Sequence, residues 1–137
     1  MDKRLKYKYH INGAIPELSD TETIFVFGSN LAGLHKLGAA LVAKTLFGAQ
    51  MGNPIGIQGR SYAIPTKDRF IRTLSLSEIR KHVNNFKQFA IDHPEMRFFV
   101  TGVGCGLAGY KPYQIAPMFE GIMSNCSFPN NWKPYLK

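Results

Sequence analysis

FVTGVGCGLAGY, residues Phe99 to Tyr110, begins as an apolar strand and opens into a loop with glycines at Gly102, Gly104, Gly106 and Gly109. So little side chain leaves backbone N–H groups free to surround a phosphate, which makes a nucleotide-like ligand the first expectation. A second loop of similar make lies within FVFGSNLAGLHKLGAAL, Phe25 to Leu41. It too follows an apolar run and leads into a helical pattern, so two such loops can close on one ligand.

Working outward, Ile24 to Phe27 is a short continuous apolar run, as expected for a strand buried on both faces. Leu37 to Phe47 repeats its apolar residues at helical spacing and meets a natural stop at Gly48. Met51 to Gly59 is rich in Gly, Pro, Asn and Gln and reads as loop, and Ser61 to Pro65 as a strand leading into the turn PTKD. Ser75 and Glu78 form a capping signature, after which Ile79, Val83, Phe86 and Ala90 recur at helical spacing until His93-Pro94 ends the run. Arg97 to Val103 reads as a central strand, Pro112 to Met123 as a last helix, and Asn125 to Pro129 as a final strand. Residues 1 to 12 alternate weakly, as an edge strand or an arm. The alternation of strands and helices implies an α/β sheet with helices on its faces, a class that binds ligands beyond the carboxyl ends of its strands.

The chain has 137 residues, enough for one domain that buries about two-thirds of its unfolded surface. With 45% hydrophobic and 19% charged residues it belongs with globular proteins rather than disordered chains. No apolar run approaches the roughly 18 residues of a membrane span, and the N-terminus lacks the pattern of a secretory signal, so a cytoplasmic protein without a membrane partner is expected. Cys105 and Cys126 have neither zinc spacing nor the density of a disulfide framework, and both are expected to be reduced. The 17 Lys and Arg outnumber the nine Asp and Glu to give +8, which favours anionic partners. Much of the excess lies at Lys3, Arg4, Lys6 and Lys8, at Lys133 and Lys137, and around Arg80, Lys81 and Lys87. Scattered in this way, it reads as a soluble basic surface more readily than as a dedicated nucleic-acid patch.

Gly104, Gly106 and Gly109 satisfy G-x-G-x-x-G, but too little chain follows for the acidic residue and second strand of a dinucleotide fold. Neither glycine loop is followed by the lysine of a P-loop. What survives is phosphate-cradling chemistry at strand ends, with a tight structural turn as the plain alternative. Ser29 and Asn30, at the end of the first strand, are candidates to orient a ribose hydroxyl or a water, or to form an ordinary turn. Lys67 can neutralise a phosphate or act as a nucleophile, and Asp68 can accept a proton; a solvated ion pair is the equal alternative. His35, between small residues, is expected to be exposed rather than a lid group. Cys105 has no identifiable activating base and is expected to pack under the loop. Tyr110 is a candidate to stack on a base or ribose. His10, His82 and His93 have no partner at metal-binding spacing, so neither a metal nor another cofactor is expected.

In the same order, GSNLAGLHKLGAALVAKTLFGAQ, RSYAIPTKD, the capped helix and VTGVGCGLAGY resemble the macrodomain superfamily, which binds ADP-ribose. The similarity spans roughly Ile24 to Met123, and within it the branch that includes terminal ADP-ribose glycohydrolase is nearest. Small bacterial and phage proteins that share FGSN, YAIPTKD and GCGLAGY are similar as well. The resemblance implies a single domain with a three-layer α/β/α fold and a mixed central sheet. In it Gly104, Cys105, Gly106, Leu107, Ala108, Gly109 and Tyr110 wrap the diphosphate and distal ribose. Gly33 to Ala39, with Gly38, forms the opposite wall. From their places at the strand ends rather than from the resemblance, Gly28, Ser29, Asn30 and Thr66 are expected to complete the ligand set.

Lys67 matches the family lysine that attacks the distal ribose, whereas Ala108 stands where the family's catalytic aspartate is expected. Loss of a general acid or base typically costs about 10²–10⁴-fold, so recognition of ADP-ribose or a related nucleotide, or of an ADP-ribosylated protein or nucleic acid, ranks above any reaction. An ADP-ribosyl hydrolase using Lys67, with Asp68 or His35, is the second expectation. A basic nucleic-acid-binding domain is the third.

Overall fold

The computed structural model describes residues 7–121 and 124–137. Lys3, Arg4 and Lys6 of the expected arm, and Met123 at the expected end of the last helix, lie outside the described residues. Strand β1 (Lys8–His10) comes first, followed by β2 (Ile24–Asn30), helix α1 (Gly38–Leu46), β3 (Gly56–Gln58) and β4 (Ser61–Lys67). Then come α2 (Leu76–Asp92), β5 (Phe98–Val100), the single turn α3 (Pro112–Ile115) and β6 (Cys126–Pro129). Tight 3-10 turns at Ala116–Phe119 and Asn130–Tyr135 complete the described elements. The six strands form one sheet in the order β1-β6-β5-β2-β4-β3, parallel throughout except that edge strand β3 runs antiparallel to β4. The chain is an α/β fold with a mixed, mostly parallel sheet.

Because successive residues of a strand point to opposite faces, the buried run of β2 feeds two cores. Ile24 and Val26 join Tyr62 and Ile64 of β4 beneath Ile79, Val83, Phe86 and Ala90 of α2, with Phe119, Phe128 and Trp132 extending that core. Phe25 and Phe27 join Ala63 beneath Ala40 and Ala43 of α1, and Phe25 stacks on Phe47 with ring centroids 4.6 Å apart. Helices therefore cover both faces of the sheet. The alanines of α1 let it pack closely, and Gly48, at φ 75°, provides the left-handed stop just beyond it. At the head of α2, the Ser75 hydroxyl accepts from the Glu78 amide while the Glu78 carboxylate accepts from the Ser75 amide, completing the expected capping box.

Three expectations are corrected. Met51 to Gly59 is not all loop: Gly56–Gln58 pairs with Ser61–Ala63, a register set by its neighbour rather than by alternation of its own. The strand expected over Arg97 to Val103 is confined to Phe98–Val100, because the chain turns at once, Val103 N–H donating to Thr101 C=O at 2.7 Å. The last helix makes only one α turn before tightening to 3-10 geometry, since Pro117 cannot donate an amide to the preceding turn. Both cysteines are free. Among the described residues no helix is long and apolar enough to cross a membrane.

Candidate functional site

The loops after β2, β4 and β5 converge at the carboxyl ends of their strands. A Cβ placed at Gly28 would lie 3.4 Å from Thr66 Cγ2 and 3.6 Å from the Gly104 amide nitrogen, ordinary contact distances that show how close the three strand ends come. Further out, Gly38 faces Leu107, which brings the two glycine loops together. Between them opens a cleft of about 850 Å³, within the usual span of roughly 300–1,000 Å³ for small-molecule sites.

One wall of the cleft is the loop Gly104 to Tyr110. Gly104 holds φ 75° directly against Ile115, where a Cβ would sit 3.0 Å from Cδ1, so the conformation calls for glycine and a side chain would also crowd Ile115. Internal hydrogen bonds fix the loop: Cys105 N–H to Gly102 C=O, Gly109 N–H to Gly106 C=O, and Tyr110 N–H to Gly104 C=O, all between 2.9 and 3.0 Å. The amides of Gly104, Gly106, Leu107 and Ala108 donate to no acceptor among the described residues. On the facing wall, Gly38 and Ala39 form the first turn of α1, whose cap residue Leu37 offers no side-chain hydrogen bond and whose first turn holds no acidic residue. Free N–H groups thus lie on both walls.

The charged side chains lining the cleft are Lys36, Lys67 and Lys111, and no described carboxylate joins them. Asp68 is turned elsewhere, its Oδ1 accepting from the amides of Phe70 at 2.8 Å and Arg72 at 3.0 Å. The cleft also includes Gly28, Ser29, Asn30 and Thr66. Their polar groups are largely engaged with backbone. Ser29 Oγ donates to Pro54 C=O at 2.6 Å, Thr66 Oγ1 donates to Ser29 C=O at 3.2 Å, and the Asn30 carboxamide both donates to and accepts from the backbone of Leu34. Tyr110 lines the cleft while its hydroxyl donates to Leu74 C=O at 2.7 Å. Cys105 lines it too, and burial, partly opposed by Trp132 and Lys111, pushes its thiol up to about 11. It is protonated at neutral pH, as packing rather than nucleophilic chemistry requires.

Gly33 lies outside the lining. At φ 71° its Cα is pressed on the backbone of Gly52, where a Cβ would come within 2.6 Å, so its service is to join the loops 31–37 and 51–54. His35, expected to be exposed, is fully buried: its Nε2 meets Asn53 C=O at 3.0 Å and its ring stands edge-on to Phe27.

The chain ends supply lining that the sequence reading did not identify. His10 ends β1, Asn12 to Ile15 follow it, and Asn131 and Trp132 come from the last 3-10 turn. The parallel pairing of β1 on β6, with the Asn12 amide donating to Asn130 Oδ1 at 3.1 Å, brings these distant segments to the cleft, and no local motif carries that signal. In comparisons with known proteins, no family model matches the chain, and neither does any curated protein or solved structure.

Proposed function

We propose that the cleft binds ADP-ribose or a related ADP-ribose-containing nucleotide, free or attached to a target, as the macrodomain resemblance implies. The observation that carries this reading is the set of unengaged amides at Gly104, Gly106, Leu107 and Ala108 opposite the uncapped first turn of α1. Such groups favour a diphosphate, and the three lysines of the lining add to the attraction. Tyr110 and Leu107 also line the cleft and offer apolar surface to the sugar rings. Binding ranks above hydrolysis because Ala108 has no carboxylate to offer and that of Asp68 is held by its own turn.

Calorimetric titration with ADP-ribose is the direct test. Saturable one-to-one binding is expected, weakened at least several-fold in Lys67→Ala, since a charge-assisted contact is worth about 1.5–3 kcal/mol. Absence of heat at millimolar ligand overturns the assignment. Should an ADP-ribosylated substrate be turned over, equal rates from wild type and Lys67→Ala would exclude that lysine as the nucleophile.

A further inference from the structure

The segment joining β4 to α2 presents Arg69, Phe70 and Arg72 to solvent at the mouth of the cleft, which Lys67 and Ile71 line from either side of it. Phe70 is 70% exposed, and the Arg72 guanidinium lies 5.4 Å from its ring centroid. The turn is held rigidly. Besides the two amide bonds to Asp68 Oδ1, Asp68 N–H donates to Arg72 C=O at 2.8 Å and Ile71 N–H to Asp68 C=O at 3.1 Å. Lys67 and Thr73 pair across its base, and Thr73 Oγ1 donates to Ala108 C=O at 3.0 Å, tying it to the glycine loop. Ile71 adopts φ 65°, which a β-branched residue rarely accepts, and in doing so faces the cleft while its neighbour Phe70 faces water. The Asp68 carboxylate is engaged by backbone, so the charged groups exposed at the tip are two guanidinium groups, beside the ring of Phe70 and the partly exposed Ile71.

We propose that this turn is a stacking platform for single-stranded nucleic acid: Phe70 takes an unpaired base on its ring, and Arg69 and Arg72 hold the flanking phosphates. Aromatic rings between cations are how sequence-tolerant single-strand sites work, because every base has a π-face while the backbone is uniformly anionic. The net charge of +8 suits the same partner. A duplex, whose bases already stack on one another, has no free face for the ring. The platform does not depend on the nucleotide reading of the cleft, since neither Phe70 nor the two arginines line it.

Fluorescence anisotropy with labelled ten-residue oligothymidylate and oligouridylate tests the proposal on the full chain. Phe70→Ala is expected to weaken binding about tenfold and Phe70→Trp to retain it. Arg69→Ala and Arg72→Ala should each make the dependence of log K on log salt shallower, by up to about 0.7. Wild-type affinity in a folded Phe70→Ala protein overturns the proposal, as does equal binding of a duplex of the same length. Phe70-dependent binding to anionic lipid vesicles with no binding to either oligonucleotide also overturns it, in favour of a membrane surface. Titration of Phe70→Ala with ADP-ribose keeps the two sites apart: unchanged ADP-ribose affinity with weakened oligonucleotide affinity is expected. Oligonucleotide binding through Phe70 without ADP-ribose binding would sink the cleft assignment alone.

Discussion

His10 stacks on Phe99 with ring centroids 3.6 Å apart, and its Nδ1 meets Ser127 Oγ at 2.6 Å. Burial pushes the imidazole from 6.5 down to about 4, partly opposed by the backbone at Val100. The folded state therefore holds it neutral, while the unfolded chain takes up a proton near 6.5. Unfolded protein binds the extra proton between those values, so stability falls as pH drops from about 6.5 to about 4 and the loss levels off below that. His82, lowered chiefly by desolvation, adds a loss of the same sign. Asp20, whose carboxyl is held below its usual range first by the Thr23 hydroxyl and then by the amides of Glu22 and Thr23, adds its own at lower pH. His10→Phe keeps an aromatic ring on Phe99 but cannot titrate. Thermal melts at pH 7 and pH 4.5 should show a smaller drop in Tm for the variant than for wild type, and parallel drops would disconnect His10 from the pH response.

At the scale of elements, α2 carries its start signal in four consecutive residues, Ser75 to Glu78, and both reciprocal bonds form. Ser75→Ala removes the acceptor for the Glu78 amide and is expected to destabilise the protein by about 1 kcal/mol in urea unfolding, with m unchanged. A midpoint equal to wild type would mean that water caps the helix as well as the hydroxyl does. This helix was legible because its information is local, as was β2, whose unbroken apolar run states that both faces are covered. Edge strand β3 was not legible. Gly56, Ile57 and Gln58 have no alternation to read, and they form a strand only because Ser61–Ala63 offers them a free edge. Pro117 stands inside the span expected to be the last helix, and its effect is to tighten that helix to a 3-10 turn.

For the molecule as a whole, the legible part of the cleft is the end of β2, Gly28 to Asn30, where the apolar run gives way, and the loop Gly104 to Tyr110 beyond β5. Its remaining wall joins His10 and Asn12 to Asn131 and Trp132, residues from opposite ends of the chain, and pairing at that separation has no local signature. A site assembled from both termini and three inner loops links ligand binding to global unfolding, because opening any wall exposes all of it. Ligand at one hundred times its Kd adds about 2.7 kcal/mol to the folded state. Spread over 137 residues at an unfolding entropy of about 2.1 cal/mol/K per residue, that raises Tm by about 9 °C. Differential scanning calorimetry with ADP-ribose should show this rise at both 50 and 200 mM salt, since a small diphosphate displaces few counterions, whereas oligonucleotide binding at the Phe70 turn should fall steeply over the same interval. An unmoved Tm at saturating ADP-ribose would exclude binding to the folded state, and a rise that vanishes with salt would assign it to the basic surface instead of the cleft.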